Sequence, residues 1–142
     1  MADIVGVFNS HVDTLGWYFT YGNKENQNLL QSDMVTDAVY FLLDPVNRNP
    51  IPSKFGGVSV VEYTGSFLLV VKSDMDNTYG GDGVKVGKYE LNIKPLLTKL
   101  ELLKSSLQCD NYNVQAWSNT DIVNALDVNM DGLVVTYKVS KL

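Results

Sequence analysis

The spacing of hydrophobic and polar positions predicts two amphipathic helices. In residues 2–15, apolar side chains recur every three or four positions, which is the spacing of one helix face. The strongest helical pattern covers residues 92–108, where Asn92 is the predicted N-cap and Pro95 lies in the first turn. The predicted apolar face of this second helix consists of Ile93, Leu96, Leu97, Leu100, Leu103 and Leu107.

Runs of β-branched and aromatic residues predict the strands of a sheet. These runs lie at residues 17–21, 37–44, 58–63, 66–73, 112–117 and 133–139. Thr64-Gly65, between two of the runs, predicts a tight hairpin turn. Short additional helices are predicted around residues 25–30 and 120–126. This order predicts the α+β class: an antiparallel or mixed sheet of about five to six strands, with an N-terminal amphipathic helix and one long crossing helix on one face.

A length of 142 residues fits one domain, so residues 1–142 are predicted to form a single unit. Residues 45–53 are rich in proline and are predicted to be a projecting loop. Residues 74–88 are rich in glycine and aspartate and are predicted to be a second, longer one. We expect these loops to reach neighbouring molecules. The candidate interface residues in them are Arg48, Asn49, Ile51, Asp74, Asp76, Tyr79 and Asp82.

The composition is consistent with contact with other proteins. Charged residues make up only 19% of the chain, and there are eight tyrosines. Protein interfaces are depleted in Lys and Glu and enriched in Tyr, so this balance fits a surface that meets other protein. The same composition is equally consistent with a tyrosine- and asparagine-rich surface of no special role.

Charge and cysteine content argue against several functional classes. The formal net charge is -5 and the 11 Lys and Arg residues are scattered, so no specific binding of nucleic acid is expected. The single cysteine, Cys109, cannot form an internal disulfide bond. We find no signal peptide and no apolar run of about 18 residues, so neither secretion nor a membrane partner is expected. Synthesis in a reducing cytoplasm is expected instead.

One local motif resembles half of a calcium-binding loop. The run from Asp127 to Gly132, Asp-Val-Asn-Met-Asp-Gly, matches the first half of an EF-hand loop. The bidentate carboxylate that the loop needs at its twelfth position is replaced by Lys138. A strand entered through an Asp-Gly turn is the favoured interpretation, so no metal is expected. If a cation binds, the candidate ligands are Asp127, Asn129 and Asp131, and the aspartates of residues 74–88 are a second possibility.

No catalytic constellation is recognised in the sequence. The only histidine, His11, falls among the apolar positions of the first helix. Cys109 follows the long helix and is expected to be a small buried residue. Neither a phosphate-binding loop nor a nucleophile elbow is present. We therefore predict no enzyme activity, no catalytic residues and no cofactor.

The order of elements resembles that of the small tail-terminator and head–tail connector proteins of tailed bacteriophages. The resemblance lies in the first helix (Ile4 to Leu15), the predicted hairpin 58–73 with its long following loop, the Leu-rich helix 92–108 and the final strands. It is architectural, covers nearly the whole chain and includes no short diagnostic motif.

This resemblance implies a virion structural protein that acts by assembly. Its partners would be copies of itself in a six-fold or twelve-fold ring, and other neck or tail proteins. DNA would pass through the ring lumen, which an acidic balance suits. The alternatives are an adaptor or chaperone-like domain that binds a partner through an exposed sheet edge, a calcium-binding module, and an unrecognised enzyme.

Overall fold

The computed structural model describes residues 3–22, 38–52, 54, 56–72, 92–122 and 130–141. These residues form helices α1 (Ile4–Thr14) and α2 (Lys94–Cys109) and strands β1 (Tyr18–Tyr21), β2 (Val39–Leu43), β3 (Asn47–Pro52), β4 (Val58–Lys72), β5 (Asn113–Ile122) and β6 (Met130–Lys141). The strands form one six-stranded mixed sheet with a helix at the N-terminus. The predicted α+β class is confirmed.

Helix α1 begins and ends as its sequence predicts. Asp3 is the N-cap, and its carboxylate accepts a hydrogen bond from the backbone N–H of Val5 at 3.4 Å. Gly16 follows the helix with a φ of 79°, a conformation that glycine adopts without a steric penalty. The side chains that α1 buries against the sheet are Ile4, Val7, Phe8 and Val12.

Helix α2 buries the predicted leucine face, but its N-terminus differs from the prediction. Ile93 is the N-cap residue and Pro95 lies in the first turn. Asn92 does not cap the helix, because its side-chain amide donates to Oδ2 of Asp131 on β6, at 2.8 Å. A side chain engaged in a tertiary hydrogen bond is not available to the helix backbone, and the capping prediction for Asn92 was wrong.

The sheet is branched around its longest strand. Five strands lie side by side in the order β1-β2-β4-β6-β5. The sixth strand, β3, lies on the same side of β4 as β2: β3 pairs with the first half of β4, and β2 pairs with the second half. Strands β1 and β2 run parallel to each other, and every other pair is antiparallel. The two ends of the five-stranded row are therefore β1 and β5.

The predicted hairpin in residues 58–73 is instead one continuous strand of 15 residues, so that prediction was wrong. Gly65 does not turn the chain; it lies within β4, paired with Tyr137 of β6. Twelve consecutive residues of β4 pair with β6. That long-range ladder stabilises an extended backbone through Thr64-Gly65, where the local sequence alone favours a turn.

The proline-rich segment at residues 45–53 was predicted to be a loop, and this is wrong for Asn47–Pro52, which form β3. The strand is exposed along its whole length and pairs antiparallel with β4. Proline lacks an N–H, so within a sheet it is tolerated where that position points away from the neighbouring strand. An edge strand with one partner offers such positions, and Pro50 and Pro52 both lie in a strand of this kind.

The predicted helix around residues 120–126 is also wrong over Thr120–Ile122, where β5 continues as a strand. Pairing of this segment with β6 extends the ladder beyond the predicted strand end at Trp117. Residues 123–126 lie outside the described part of the chain. The predicted helix at 25–30 and the predicted loop at 74–88 also lie outside it.

Both helices pack on the same face of the sheet and enclose an aromatic core. The ring of Phe8 lies 5.3 Å from that of Phe41 and 5.3 Å from that of Tyr137, and Phe41 stacks on Phe67 at 4.4 Å. A smaller buried cluster lies on the opposite face. It consists of Tyr40, Leu42, Leu68 and Val70.

Candidate functional site

The end strand β5 presents a long edge with little charge. It has ten residues, of which only Asp121 is charged, and in the described part of the chain it pairs with β6 alone. Most of its side chains are exposed. A register shift between Val114 and Ala116 marks a bulge in its first half, whereas the second half pairs regularly with β6.

At the opposite end of the sheet, β1 presents two exposed aromatic residues. Tyr18 and Tyr21 are 50% and 45% exposed, and they are among the few large hydrophobic residues on the described surface. The ring of Tyr18 stacks on that of Tyr40 at 4.9 Å. Phe19, on the helix side, stacks on Phe41 at 5.7 Å. These stacked neighbours hold the short edge strand in place and leave two tyrosines at its surface.

The third edge, β3, contains three of the predicted interface residues. Arg48 donates from Nε to Oδ1 of Asp3 at 2.8 Å and from Nη2 to Oδ2 of Asp3 at 2.5 Å. This fork holds the pKa of Asp3 below its usual value and raises the pKa of Arg48. Asn49 donates to Oε1 of Glu62 at 3.3 Å, and Ile51 is 37% exposed.

The remaining predicted interface residues cannot be placed with these three. They are Asp74, Asp76, Tyr79 and Asp82, all of which lie outside the described residues. Through its hydrogen bonds to Asp3, Arg48 links β3 to the start of α1 and so holds two elements of the same chain together. Asn49 and Ile51 lie on the face opposite the helices, as shown by their pairing with Glu62 and Val60.

A groove of about 410 Å³ lies on the face opposite the helices. Its lining residues are Ile51, Val60, Glu62, Asn111, Asn113, Gln115 and Ser140. Glu62 is its only acidic residue, and the ammonium group of Lys138 lies 3.6 Å from Oε2 of Glu62. Gln115 donates to the hydroxyl of Ser140 at 3.4 Å. The groove therefore offers amide and hydroxyl groups around one partly neutralised carboxylate.

The one histidine and the one cysteine of the sequence are His11 and Cys109. Nε2 of His11 shares a hydrogen bond of 2.5 Å with Oδ2 of Asp110, which ties α1 to the C-terminal end of α2. Cys109 is exposed at the last position of α2, so the expectation that it is buried was wrong. Its position falls outside the buried leucine stripe of that helix, which ends at Leu107.

Of the three candidate calcium ligands, only Asp131 lies within the described residues. Asp131 lies buried within β6, and its carboxylate accepts the hydrogen bond from Asn92. Asp127 and Asn129 lie outside the described residues. Within the described ranges, no three His, Cys, Asp or Glu side chains are grouped so that they could hold a metal ion.

Gly132 also has a different role from the one that the calcium motif suggests. It lies in β6, and a Cβ atom there would lie 2.1 Å from the carbonyl oxygen of Leu69. Close approach of two backbones, rather than a turn, therefore requires glycine at this position.

Three polar groups that the sequence analysis did not single out are buried in the helix-side core. The Tyr112 hydroxyl, the Trp117 Nε1 and the Tyr137 hydroxyl have no hydrogen-bond partner among the described residues. Burial raises the pKa of Tyr112 to about 12 and raises the pKa of Tyr137 as well. None of these three residues is among those that line the groove.

Comparison with family models, curated proteins and solved structures gave no match for this chain. No helix in the described segments is long and apolar enough to cross a membrane. The sites that remain in the described part of the chain are the three sheet edges and the groove on the face opposite the helices. The sequence indicated the segment of β3 through its proline-rich run, which was predicted to be a projecting loop. The ends of the sheet could be identified only once the strand order was known.

Proposed function

We propose that this chain is a virion structural protein, a ring-forming subunit of the neck or tail of a tailed bacteriophage that acts by assembling with copies of itself. The observation that carries the proposal is the edge of β5: ten residues with one charge at the end of the sheet. A tail terminator or a head–tail connector is the form of such a subunit that the order of elements resembles.

An edge strand of this kind is costly to leave unprotected. Its outward N–H and C=O groups can pair with any other extended chain, and soluble proteins usually protect such edges with Lys, Pro or a bulge. In β5 a bulge near Gln115 affects the first half, and Asp121 is the only charged residue of the strand. The second half, from Ser118 to Ile122, contains neither Lys nor Pro. A strand that is covered by a neighbouring subunit has no need of those devices.

The contrast with β3 supports this interpretation. Pro50 and Pro52 remove two N–H donors from β3, and Arg48 lies between Asn47 and Asn49 in the same strand. The chain therefore carries edge protection on one exposed strand and omits it on another. Selective protection is expected when one edge is meant to pair and the other is not.

The proposal is tested by adding the missing protection. A positive charge in Thr120→Lys should weaken strand pairing between subunits, and we expect it to reduce the oligomer mass measured by light scattering. The matched control is Ser105→Lys, which adds the same charge at an exposed position of α2 and should leave the mass unchanged. Equal masses for both variants and the native chain would argue against assembly through β5.

The groove on the face opposite the helices favours a second candidate, an adaptor that binds an extended segment of another protein. Amide side chains such as Asn113 and Gln115 can donate to and accept from a peptide backbone, and Glu62 can attract a basic side chain. This function predicts a monomer that binds a partner one to one. Glu62→Gln would then weaken binding of a Lys-containing peptide without changing the mass of the free chain.

A further inference from the structure

We propose that the two ends of the sheet bind each other in neighbouring copies: the last four residues of β5, Asn119–Ile122, pair antiparallel with β1 of the next subunit. The inference rests on the proposed ring assembly and specifies the contact that would form it. The direction of the strands, their level in the sheet and the face on which each residue lies support this contact.

Strand direction is the first support. Strand β2 is parallel to β1, and the chain direction then alternates through β4, β6 and β5, so that β5 runs opposite to β1. A rotation about an axis parallel to the strands leaves strand directions unchanged. It therefore brings β1 of the next subunit alongside β5 in the antiparallel sense. Contacts between two different surfaces related by rotation form a ring when the rotation closes, and an open filament when it does not.

The level of the strands within the sheet is the second support. One row of directly paired residues crosses the whole sheet from end to end. It contains, in order, Thr20, Leu42, Leu68, Val134 and Thr120. The adjacent row joins Tyr21 of β1 to Asn119 of β5 in the same way. The four residues of β1 therefore lie level with the last four of β5, and no shift along the strands is needed to pair them.

The faces of the two strands also agree. Thr20 and Thr120 both lie on the face opposite the helices, since their row passes through Leu42 and Leu68 of the second cluster. Rotation about an axis along the strands keeps that face on the same side of the joined sheet. Thr20 then lies beside Thr120, and the helices of both subunits stay on the other face. A slip of one residue would reverse the faces.

The side chains that would meet are compatible. Tyr18 would lie beside Ile122, an aromatic and β-branched pair of the type that stabilises adjacent strands. Tyr21 would lie beside Asn119, and Asp121 would meet the uncharged Phe19. No two like charges would be opposed. The exposed tyrosines of β1 would thus gain a partner on the edge of β5, where Asp121 is the only charged residue.

The first half of β5 is excluded from the same contact. Its level in the sheet is that of β3, because the row through Asn113 passes through Ser140 and Glu62 to Asn49. Strand β3 of a neighbour would approach with its prolines, against the bulge of β5. Neither feature supports a regular ladder, so pairing is confined to the half of β5 that faces β1.

Cysteine cross-linking tests this contact. In a background in which Cys109 is replaced by serine, Thr20→Cys and Thr120→Cys are combined in one chain and oxidised. Paired residues of neighbouring strands lie about 4.5–5.5 Å apart between Cα atoms, within the range that a disulfide bridges. We expect a ladder of covalent oligomers under denaturing conditions. The matched control replaces Thr120→Cys by Asn119→Cys, which points to the other face and should cross-link at least five-fold less.

The outcomes separate this contact from ring assembly itself. Cross-linking of Thr120→Cys alone into dimers, or equal cross-linking by the Asn119→Cys control, would overturn the proposed pairing. A native chain that light scattering shows to be a ring, but whose Thr20→Cys/Thr120→Cys variant gives no ladder, would overturn the pairing and leave the ring in place. A chain that is monomeric and gives no ladder would contradict both.

Discussion

The hydroxyl oxygen of Tyr137 lies 2.9 Å from the point that a Cβ atom on Gly65 would occupy, and the two residues are directly paired across β4 and β6. The tyrosine ring thus covers the glycine. This contact gives Gly65 a structural role in the middle of a long strand, where glycine otherwise weakens the sheet because it fixes no side chain and loses much backbone freedom on folding.

Gly65→Ala should therefore destabilise the protein, by about 1–3 kcal/mol, because the new methyl group collides with the tyrosine. Urea unfolding followed by circular dichroism measures this change. Adding Tyr137→Phe removes the atom closest to the methyl group and should recover part of the loss. If the effects of the two substitutions on the free energy of unfolding are additive, the contact between residue 65 and the Tyr137 hydroxyl is not the cause of the destabilisation.

Tyr137→Phe by itself should be tolerated. Its hydroxyl is buried without a hydrogen-bond partner among the described residues, so removing it leaves no donor or acceptor unsatisfied. We expect a change in the free energy of unfolding within about 1 kcal/mol, in either direction. A loss of several times that amount in urea unfolding would mean that the hydroxyl makes a stabilising contact.

Alkaline pH should destabilise the fold through Tyr112. Burial raises the pKa of Tyr112 to about 12, above the value of about 10 for an exposed tyrosine. The unfolded chain therefore releases this proton first, and the stability due to the neutral phenol is present below about pH 10 and lost as pH rises towards 12. Tyr112→Phe should flatten the fall of the midpoint urea concentration over that window. An unchanged slope would contradict this assignment.

Acid should weaken the link between Asp3 and Arg48. The hydrogen bonds from Arg48 hold the pKa of Asp3 below its usual value, so their contribution is present above that usual value and lost as pH falls through the lowered one. Both side chains are 43% exposed, and screening limits the pair to less than about 1 kcal/mol.

Arg48→Met should therefore have a small effect, measured as the shift in urea midpoint at neutral pH. Asp3→Ala should cost more, because Asp3 also caps α1 and loss of a cap costs about 0.5–2 kcal/mol. The difference between the two variants should persist at high salt, which screens the ion pair and leaves the cap. A larger cost for Arg48→Met would reverse this ranking.

The parts of the fold that the sequence predicted correctly are those set by local periodicity. Helices α1 and α2 each carry an apolar face at helical spacing, and that face is the one buried in the structure. The errors lie where a distant strand decides the outcome. Pairing with β6 keeps Thr64-Gly65 extended, and pairing with β4 turns a proline-rich segment into a strand.

In the candidate site too, local sequence predicted some features, and contacts between distant residues decided the others. Arg48, Asn49 and Ile51 were expected at an exposed surface because of their loop-like sequence, and the structure places them on an exposed edge strand. The ends of the sheet, β1 and β5, carry no comparable local signal. Which strands lie at the ends follows from the strand order, and strand order depends on contacts between residues far apart in the sequence.

The solution mass of the native chain, measured by light scattering over a wide concentration range, tests self-assembly most directly. The chain mass is 15.8 kDa, and a closed ring of six or twelve copies predicts one discrete species near about 95 or 190 kDa. That species should persist on dilution until the ring dissociates as a unit. A monomer at every concentration would contradict the account.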